Sequence, residues 1–349
     1  MESGKYTKDI REVKQPALEK EILKRLDDLT KPPGSLGRLE DFVVQYCLCR
    51  GDSNARIKNT RLVTFAGDHG ITEEKITPYP REVTVQMVSN MLAGGAAISV
   101  MCRNAGIESW IVDIGTCGEY PDHPALLKKK IARGTRNFLN APAMTEEECD
   151  DALEVGYKIG SEKACDLFGI GEMGIGNSSS ASALFSLLLD IDPEQTVGEG
   201  TGSRGKLFEH KKSVIARSVD FHRKEWDGTA FDALRRLGGF EIAGMTGLIL
   251  AAAGSRIPVV VDGFIASAAA LVAIKMEKKV TEYLFFSHAS GEKFHKGFLA
   301  IIGKKPILDL DMRLGEGTGA ALAMQIIMQA LNCYHQMATF SSAGVSNAD

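Results

Sequence analysis

The chain has 349 residues, of which 44% are hydrophobic and 25% charged, and its formal net charge is −4. This is the balance of a globular protein, and the lack of any long basic run argues against a nucleic-acid or anionic-membrane surface. Against only 11 prolines and no low-complexity tract, 36 glycines point to many tight backbone turns.

In chain order, residues 1–55 read as helix with no accompanying strand. The opening MESGKYTKDIREVKQ is charged and lacks an apolar core, so no signal peptide is expected. A strand follows at Arg61–Ala66, a helix at Pro80–Arg103, a strand at Ser109–Ile114 and a helix at Thr145–Lys163. The next strand, Cys165–Ile170, precedes helices at Ser179–Leu189, Leu207–Val219 and Phe240–Ala253. Then come a strand at Pro258–Asp262, a helix at Ile265–Lys278, a strand at Tyr283–Ser287, a helix at Gly291–Ile302 and a strand at Pro306–Leu310. Residues 318–349 return to helix, with a tail from Thr339 rich in Ser, Ala and Gly that is expected to be loose. The longest apolar stretch, Ile257–Ile274, is interrupted by Pro258, Asp262, Gly263 and Ser267, which fits a buried strand and helix better than a membrane span. Strands alternating with helices argue for an α/β fold with a mainly parallel sheet, whose ligands sit at the carboxyl ends of the strands. Both chain ends are expected to pack together as a small helical domain.

Seven cysteines are scattered with no CxxC pair. An odd number without that spacing argues against a disulfide framework or a structural zinc site and for reduced thiols in the cytosol.

Two glycine motifs mimic a dinucleotide-binding turn: Gly200-Thr-Gly202-Ser-Arg-Gly205 and Gly315-Glu-Gly317-Thr-Gly319-Ala320. The first follows the polar stretch Asp192–Glu199, and the second lies too near the chain's end for a βαβ unit, so both read as helix-entry turns. The cluster Gly171-Glu-Met-Gly-Ile-Gly-Asn-Ser-Ser-Ser180 falls between a predicted strand and a predicted helix. Its glycines would let backbone N–H groups approach an anion such as phosphate, and its serines supply caps and hydroxyls; a plain capped helix reads equally well. Lys211 is the cation that could complete a phosphate site, or one more solvated surface lysine.

Several polar residues end strands. Asp68-His69 could be catalytic, metal-binding or a turn; Asp262 fits a helix cap or a substrate positioner better than a base. Glu316, between Gly315 and Gly317, is expected to stand sterically open to a ligand, and partial desolvation would raise its pKa into the range of a general base. A helix-end acid favouring the macrodipole is the competing reading.

Together these motifs resemble a known family. Lys31-Pro-Pro-Gly-Ser-Leu-Gly-Arg-Leu-Glu40, Ala66-Gly-Asp-His-Gly70, Tyr79-Pro-Arg-Glu-Val83, Gly171-Glu-Met-Gly-Ile-Gly-Asn177, Asp262-Gly-Phe264, Ser287-His288 and Leu314-Gly-Glu-Gly-Thr-Gly319 resemble, in that order, the nicotinate-nucleotide:dimethylbenzimidazole phosphoribosyltransferases. The resemblance implies a parallel six-stranded, Rossmann-like sheet flanked by helices in a large domain, 56–317. A small helical domain would be built from 1–55 and 318–349. It implies a homodimer acting on nicotinate mononucleotide and an aromatic base, a reaction that needs no metal or cofactor; the scattered cysteines add a cytoplasmic location, and charge and hydropathy add no nucleic acid or membrane partner. The implied reaction gives α-ribazole 5'-phosphate and nicotinate.

By matching position, Glu316 is implied as the general base and Glu172 as the second active-site acid. Gly174, Gly176, Asn177, Ser178, Gly202, Lys211 and Ser290 are implied at the ribose phosphate, and Pro78, Gln86, Met87 and Leu314 around the base. Alternatives stay open: a relative that activates adenine, benzimidazole or a phenol, or a non-catalytic nucleotide-binding subunit of a heteromer. An NAD-dependent oxidoreductase would need an early βαβ fingerprint that is missing.

Overall fold

The computed structural model describes residues 4–200 and 202–346; Met1–Ser3, Thr201 and Asn347–Asp349 lie outside the described residues. Six strands form one sheet: β1 (Thr60–Gly67), β2 (Glu108–Gly115), β3 (Leu126–Lys128), β4 (Leu167–Met173), β5 (Val259–Val261) and β6 (Leu284–Phe286). Their order is β3-β2-β1-β4-β5-β6, and every adjacent pair is parallel. All eight residues of β1, TRLVTFAG, are buried, as expected of a parallel strand covered on both faces. The chain works outward from β1 to β3, then returns to place β4 on the other side of β1. That reversal opens a crevice above the carboxyl ends of β1 and β4, where doubly wound sheets bind ligands.

Helices cover the sheet. Glu146–Gly160 starts at a capping box between Thr145 and Glu148 and packs on Phe240–Gly254, in which every residue from Phe240 to Ala253 is buried. A helix apolar on all sides belongs between layers. The two helices touch backbone to backbone: a Cβ added at Gly156 would overlap the carbonyl of Gly244, so any side chain there would force them apart. Near the chain ends, helices Pro16–Asp28 and Thr318–Gln336 meet where Arg25 Nε donates to Tyr334 O at 3.1 Å. Leu29 and Thr339 form an antiparallel bridge beside them. Thr318–Gln336 packs against Arg38–Arg50 and also against β4 and β5.

The structure corrects four sequence expectations. The predicted strand Pro306–Leu310 is only a short extension of the sheet: Ile307 and Leu308 N–H donate to Phe286 and Ser287 O, each at 2.9 Å, and one bridge joins Leu308 to His288. The sixth place belongs to β3, whose Leu-Leu-Lys has no β-branched residue; pairing with Ile111–Asp113 sets it, not local propensity. Strand β4 begins at Leu167 and runs through Met173, so Glu172 stands inside the strand. The predicted helix Pro80–Arg103 breaks into Glu82–Leu92 and Ala97–Ala105 around Gly94, whose φ of 78° no helix continues. Finally, the described part of the tail is not simply loose: Phe340–Ala343 makes a helical turn capped by Thr339.

Candidate active site

Glu172 faces the crevice from β4, in register with Phe65 of β1. It is buried, and Asn177, at the start of helix Asn177–Leu189, donates its side-chain amide to Glu172 Oε2. Burial pushes this carboxyl up to about 8; the negative charges of Asp262, Glu241 and Glu316 push the same way, and the Asn177 bond opposes them. An acid so placed holds its proton near neutral pH until a cation arrives.

Glu316 belongs to a three-residue turn with left-handed backbone throughout: φ is 83° at Gly315, 65° at Glu316 and 94° at Gly317. Glycine adopts this freely, whereas glutamate does so under strain, which the surroundings must hold. Thr64 Oγ1 donates to Glu316 O at 3.0 Å. Asp262, just past β5, accepts the N–H groups of Gly317 at 3.2 Å and Ala320 at 3.0 Å. Asp262 is thus a helix cap, but of Thr318–Gln336, not of the helix that follows it in sequence. Glu316 is not open as expected: it is 3% exposed, and its Oε2 is buried without a hydrogen-bond partner. Burial raises its pKa, the Ile98 N–H lowers it, and Asp262 raises it further. A Cβ on Gly315 would stand 2.5 Å from Glu172 Oε1, so the turn and the first acid are in contact.

The other end of the site suits an anion. Gly176, with φ of 99°, opens helix Asn177–Leu189 without a side-chain cap, and the buried Ser179 Oγ has no partner. The helix dipole favours a phosphate there. Lys211, on helix Lys206–Arg223, is buried, and its Nζ donates to Ser178 Oγ and Gly198 O, each at 3.1 Å. Burial lowers its pKa to about 8, against the pull of Glu292. Lys211 is therefore no solvated surface lysine.

Beneath the glycine turn lies a fully buried pair. His69 Nε2 is 2.6 Å from Glu241 Oε1, and its Nδ1 is 3.0 Å from Ser180 Oγ. Cβ atoms on Gly174 or Gly176 would rest on the His69 side chain at 3.5 Å and 3.2 Å. Asp68 Oδ2 accepts the Cys117 N–H at 2.7 Å. Asp68-His69 thus braces the floor of the site.

A family model described as Phosphoribosyltransferase matches residues 11–345. The nicotinate-nucleotide–dimethylbenzimidazole phosphoribosyltransferase of Chlorobaculum parvum is 48% identical over 324 residues, which cover 92% of each chain. The chain belongs to the nicotinate-nucleotide–dimethylbenzimidazole phosphoribosyltransferase family. Its relative from Prosthecochloris aestuarii is 47% identical over 333 residues, covering 95% of this chain and 94% of the relative. The crystal structure of CobT from Thermus thermophilus superposes with a TM-score of 0.90 at 39% identity, over 95% of this chain and 100% of that one.

Of the residues that the family resemblance singled out, Glu172, Gly174, Asn177, Ser178, Ser290 and Leu314 line one cavity of about 110 Å³. Gly176 borders it as the helix cap, Lys211 reaches it through Ser178, and Glu316 sits behind Gly315. Gly202 is exposed on its loop and does not line the cavity. Neither do Pro78, Gln86 and Met87: Pro78 and Gln86 are exposed and Met87 is half-buried. They flank or belong to helix Glu82–Leu92, which meets the site where Thr84 Oγ1 accepts the Ile175 N–H at 3.1 Å. The four residues assigned to the base do not form one enclosed pocket in this chain. Sequence reasoning missed Glu292 and Arg313 on the cavity wall and Glu241 beneath it. Only Glu241 carried a signal, as the one charge in the apolar run FEIAGMTGLILAAAG.

Proposed function

We propose that this chain transfers ribose 5-phosphate from nicotinate mononucleotide to 5,6-dimethylbenzimidazole, giving α-ribazole 5'-phosphate and nicotinate. The observation that carries this is the pairing of two buried carboxyls, Glu172 and Glu316, across Gly315 beside an uncapped helix N-terminus. Relatives covering most of the chain bear the corresponding name. The donor's phosphate lies among Gly174, Gly176, Asn177, Ser178, Lys211 and Ser290, with Gly202 assigned there by the family resemblance alone, an anchor remote from C1' that orients the reacting atoms.

The leaving pyridinium takes the electron pair of the C1'–N bond and departs as a neutral aromatic, so it needs no acid. Positive charge grows on C1', and Glu172 faces it as a carboxylate. Arrival of a cationic donor favours that form, so binding releases the proton that the empty site holds. A benzimidazole nitrogen bonds to C1' from the opposite face, inverting the β-linkage to α, while the ring's other nitrogen gives its proton to Glu316. Leu314 on the cavity wall meets the base, with Pro78, Gln86 and Met87 assigned to the same base by the family resemblance alone. The same reading makes the protein a cytoplasmic homodimer without metal, cofactor, nucleic-acid or membrane partner. It divides the chain into 56–317 and a small helical domain of 1–55 plus 318–349, which the packing of Arg38–Arg50 on Thr318–Gln336 supports.

Glu316→Gln tests the reading. Loss of a general base should cost about 10²- to 10⁴-fold in turnover while nicotinate mononucleotide still binds, as measured by titration calorimetry. Undiminished turnover removes the proposed base; no α-linked product from wild type with any of a panel of bases defeats the assignment.

A further inference from the structure

The loop leaving β6 brings Ser290 and Glu292 to the cavity, and a histidine holds it from behind. His295 opens the short helix His295–Ile301 and is fully buried. Its Nδ1 accepts the backbone N–H of Ser290 at 2.8 Å. Its Nε2 lies 2.9 Å from Ser267 Oγ, in the first turn of helix Phe264–Met276. A backbone amide can only donate, so Nδ1 is bare, the ring proton sits on Nε2, and Nε2–H donates to Ser267. Burial pushes the imidazole down to about 3, and His288, whose ring centre is 6.3 Å away, also opposes protonation. The ring is therefore neutral and confined to one tautomer.

The loop that His295 holds is a cavity wall. Ser290 Oγ accepts the Glu292 N–H at 3.3 Å. Glu292 in turn faces the Lys211 ammonium and the Gly200 N–H, both of which draw on its carboxylate. Ser267 belongs to a helix whose first residues, Phe264 and Ile265, line the same cavity. Backbone bonds from the Ala289 N–H to Leu308 O at 2.8 Å and from the Gly291 N–H to Met312 O at 3.0 Å hold the residues on either side of Ser290; His295 adds the tie between the Ser290 amide and the helix that carries Ser267.

We propose that His295 is a positioning residue: bridging Ser267 and the Ser290 backbone as the Nε2–H tautomer, it fixes the Ser290–Glu292 turn in the geometry that receives the donor's 5'-phosphate. It touches no substrate atom. The proposal rests on the reading of Ser290 as part of the phosphate site. Removing the bridge leaves the Ser290 N–H buried without an acceptor, and the turn moves to satisfy it. Donor affinity falls, whereas chemistry at C1' in the saturated enzyme proceeds much as before.

The test combines a spectroscopic and a kinetic measurement. Nitrogen-15 NMR of the wild-type imidazoles should show His295 with bare Nδ1 and protonated Nε2, without titration over the range of about pH 5 to 8 in which an ordinary histidine switches. His295→Leu, which fills the volume but accepts nothing, should raise the Kd and KM for nicotinate mononucleotide by about tenfold or more. Its kcat should stay within about threefold and the KM for the base should not move. His295→Asn, whose Oδ1 stands where Nδ1 stood, should recover most of the affinity. Ser267→Ala, which removes only the distal bond, should show a smaller rise and keeps the comparison available where the Leu variant fails to fold. A proton on Nδ1, a titration near neutral pH, a loss confined to kcat, or an Asn variant no better than Leu overturns the proposal. Wild-type protein that binds no nicotinate mononucleotide overturns the reading of the site instead; wild type and Leu variant binding it equally overturns the role of His295 alone.

Discussion

Replacing Glu172 by Gln should make the empty protein more stable, by an amount that grows with pH. The carboxyl is 6% exposed, and burial, then the charges of Asp262 and Glu241, lift it from 4.5 to about 8. An acid whose pKa is raised on folding contributes stability that is fully present below its unfolded pKa and is lost as pH rises through the folded one. Below about pH 4.5 both states hold the proton; between about 4.5 and about 8 only the unfolded chain ionises, and the folded state is penalised. At about 1.36 kcal/mol per pH unit the penalty reaches about 5 kcal/mol in full and about 3 kcal/mol near pH 7. Gln retains an oxygen for the Asn177 amide and carries no charge, so it escapes the penalty. With an unfolding entropy of about 2.1 cal/mol/K per residue, about 3 kcal/mol in a chain of this length is about 4 °C in Tm. Thermal unfolding followed by circular dichroism should therefore show a gap between variant and wild type of about 1 °C near pH 5, widening to about 4 °C near pH 7. A gap that stays flat with pH, or a variant less stable than wild type near pH 8, refutes the account of this acid.

Lys211→Met should behave in the mirror sense. Burial lowers the ammonium from 10.5 to about 8, so wild type bears a cost below the folded pKa that fades as pH rises toward the unfolded one. The variant should gain up to about 3 kcal/mol in denaturant unfolding below about pH 8, shrinking to nothing above about pH 10.5, while its donor Kd rises. Gly315→Ala puts a Cβ at a φ of 83° and 2.5 Å from Glu172 Oε1. It should lose about 1–3 kcal/mol in urea unfolding together with most turnover, because the strained turn carries Glu316; a fully active, fully stable variant contradicts the contact. His69→Leu or Glu241→Met alone should cost about 3–5 kcal/mol, because each strands a buried polar partner. The double replacement should recover much of that, and a double-mutant cycle with no coupling would show that the pair does not act as one.

Five of the six strands were legible because the apolar, β-branched runs at Arg61–Ala66 and Pro258–Asp262, among others, are local patterns that need no partner to be recognised. Both glycine motifs open helices, at Lys206 and Thr318, as their flanking sequence foretold. Strand β3 escaped notice because its place depends on β2, and the break at Gly94 because one glycine in an apolar helical run is ambiguous.

From its sequence alone, then, the chain declares an α/β class, an ordered set of motifs at strand ends, and residue types suited to an anion and to acid–base chemistry. Their strength was set only by the tertiary structure. Asp262 caps a turn 55 positions away, and Glu241 meets His69 across 172. Glu316, expected to stand open, is buried with the Ile98 N–H at its carboxylate, and Lys211, written in the chain like any surface lysine, is buried against Ser178. Propensity and periodicity report on neighbours along the chain, whereas desolvation and charge depend on groups brought together from far apart, and it is these that decide whether a carboxyl or an ammonium holds its proton.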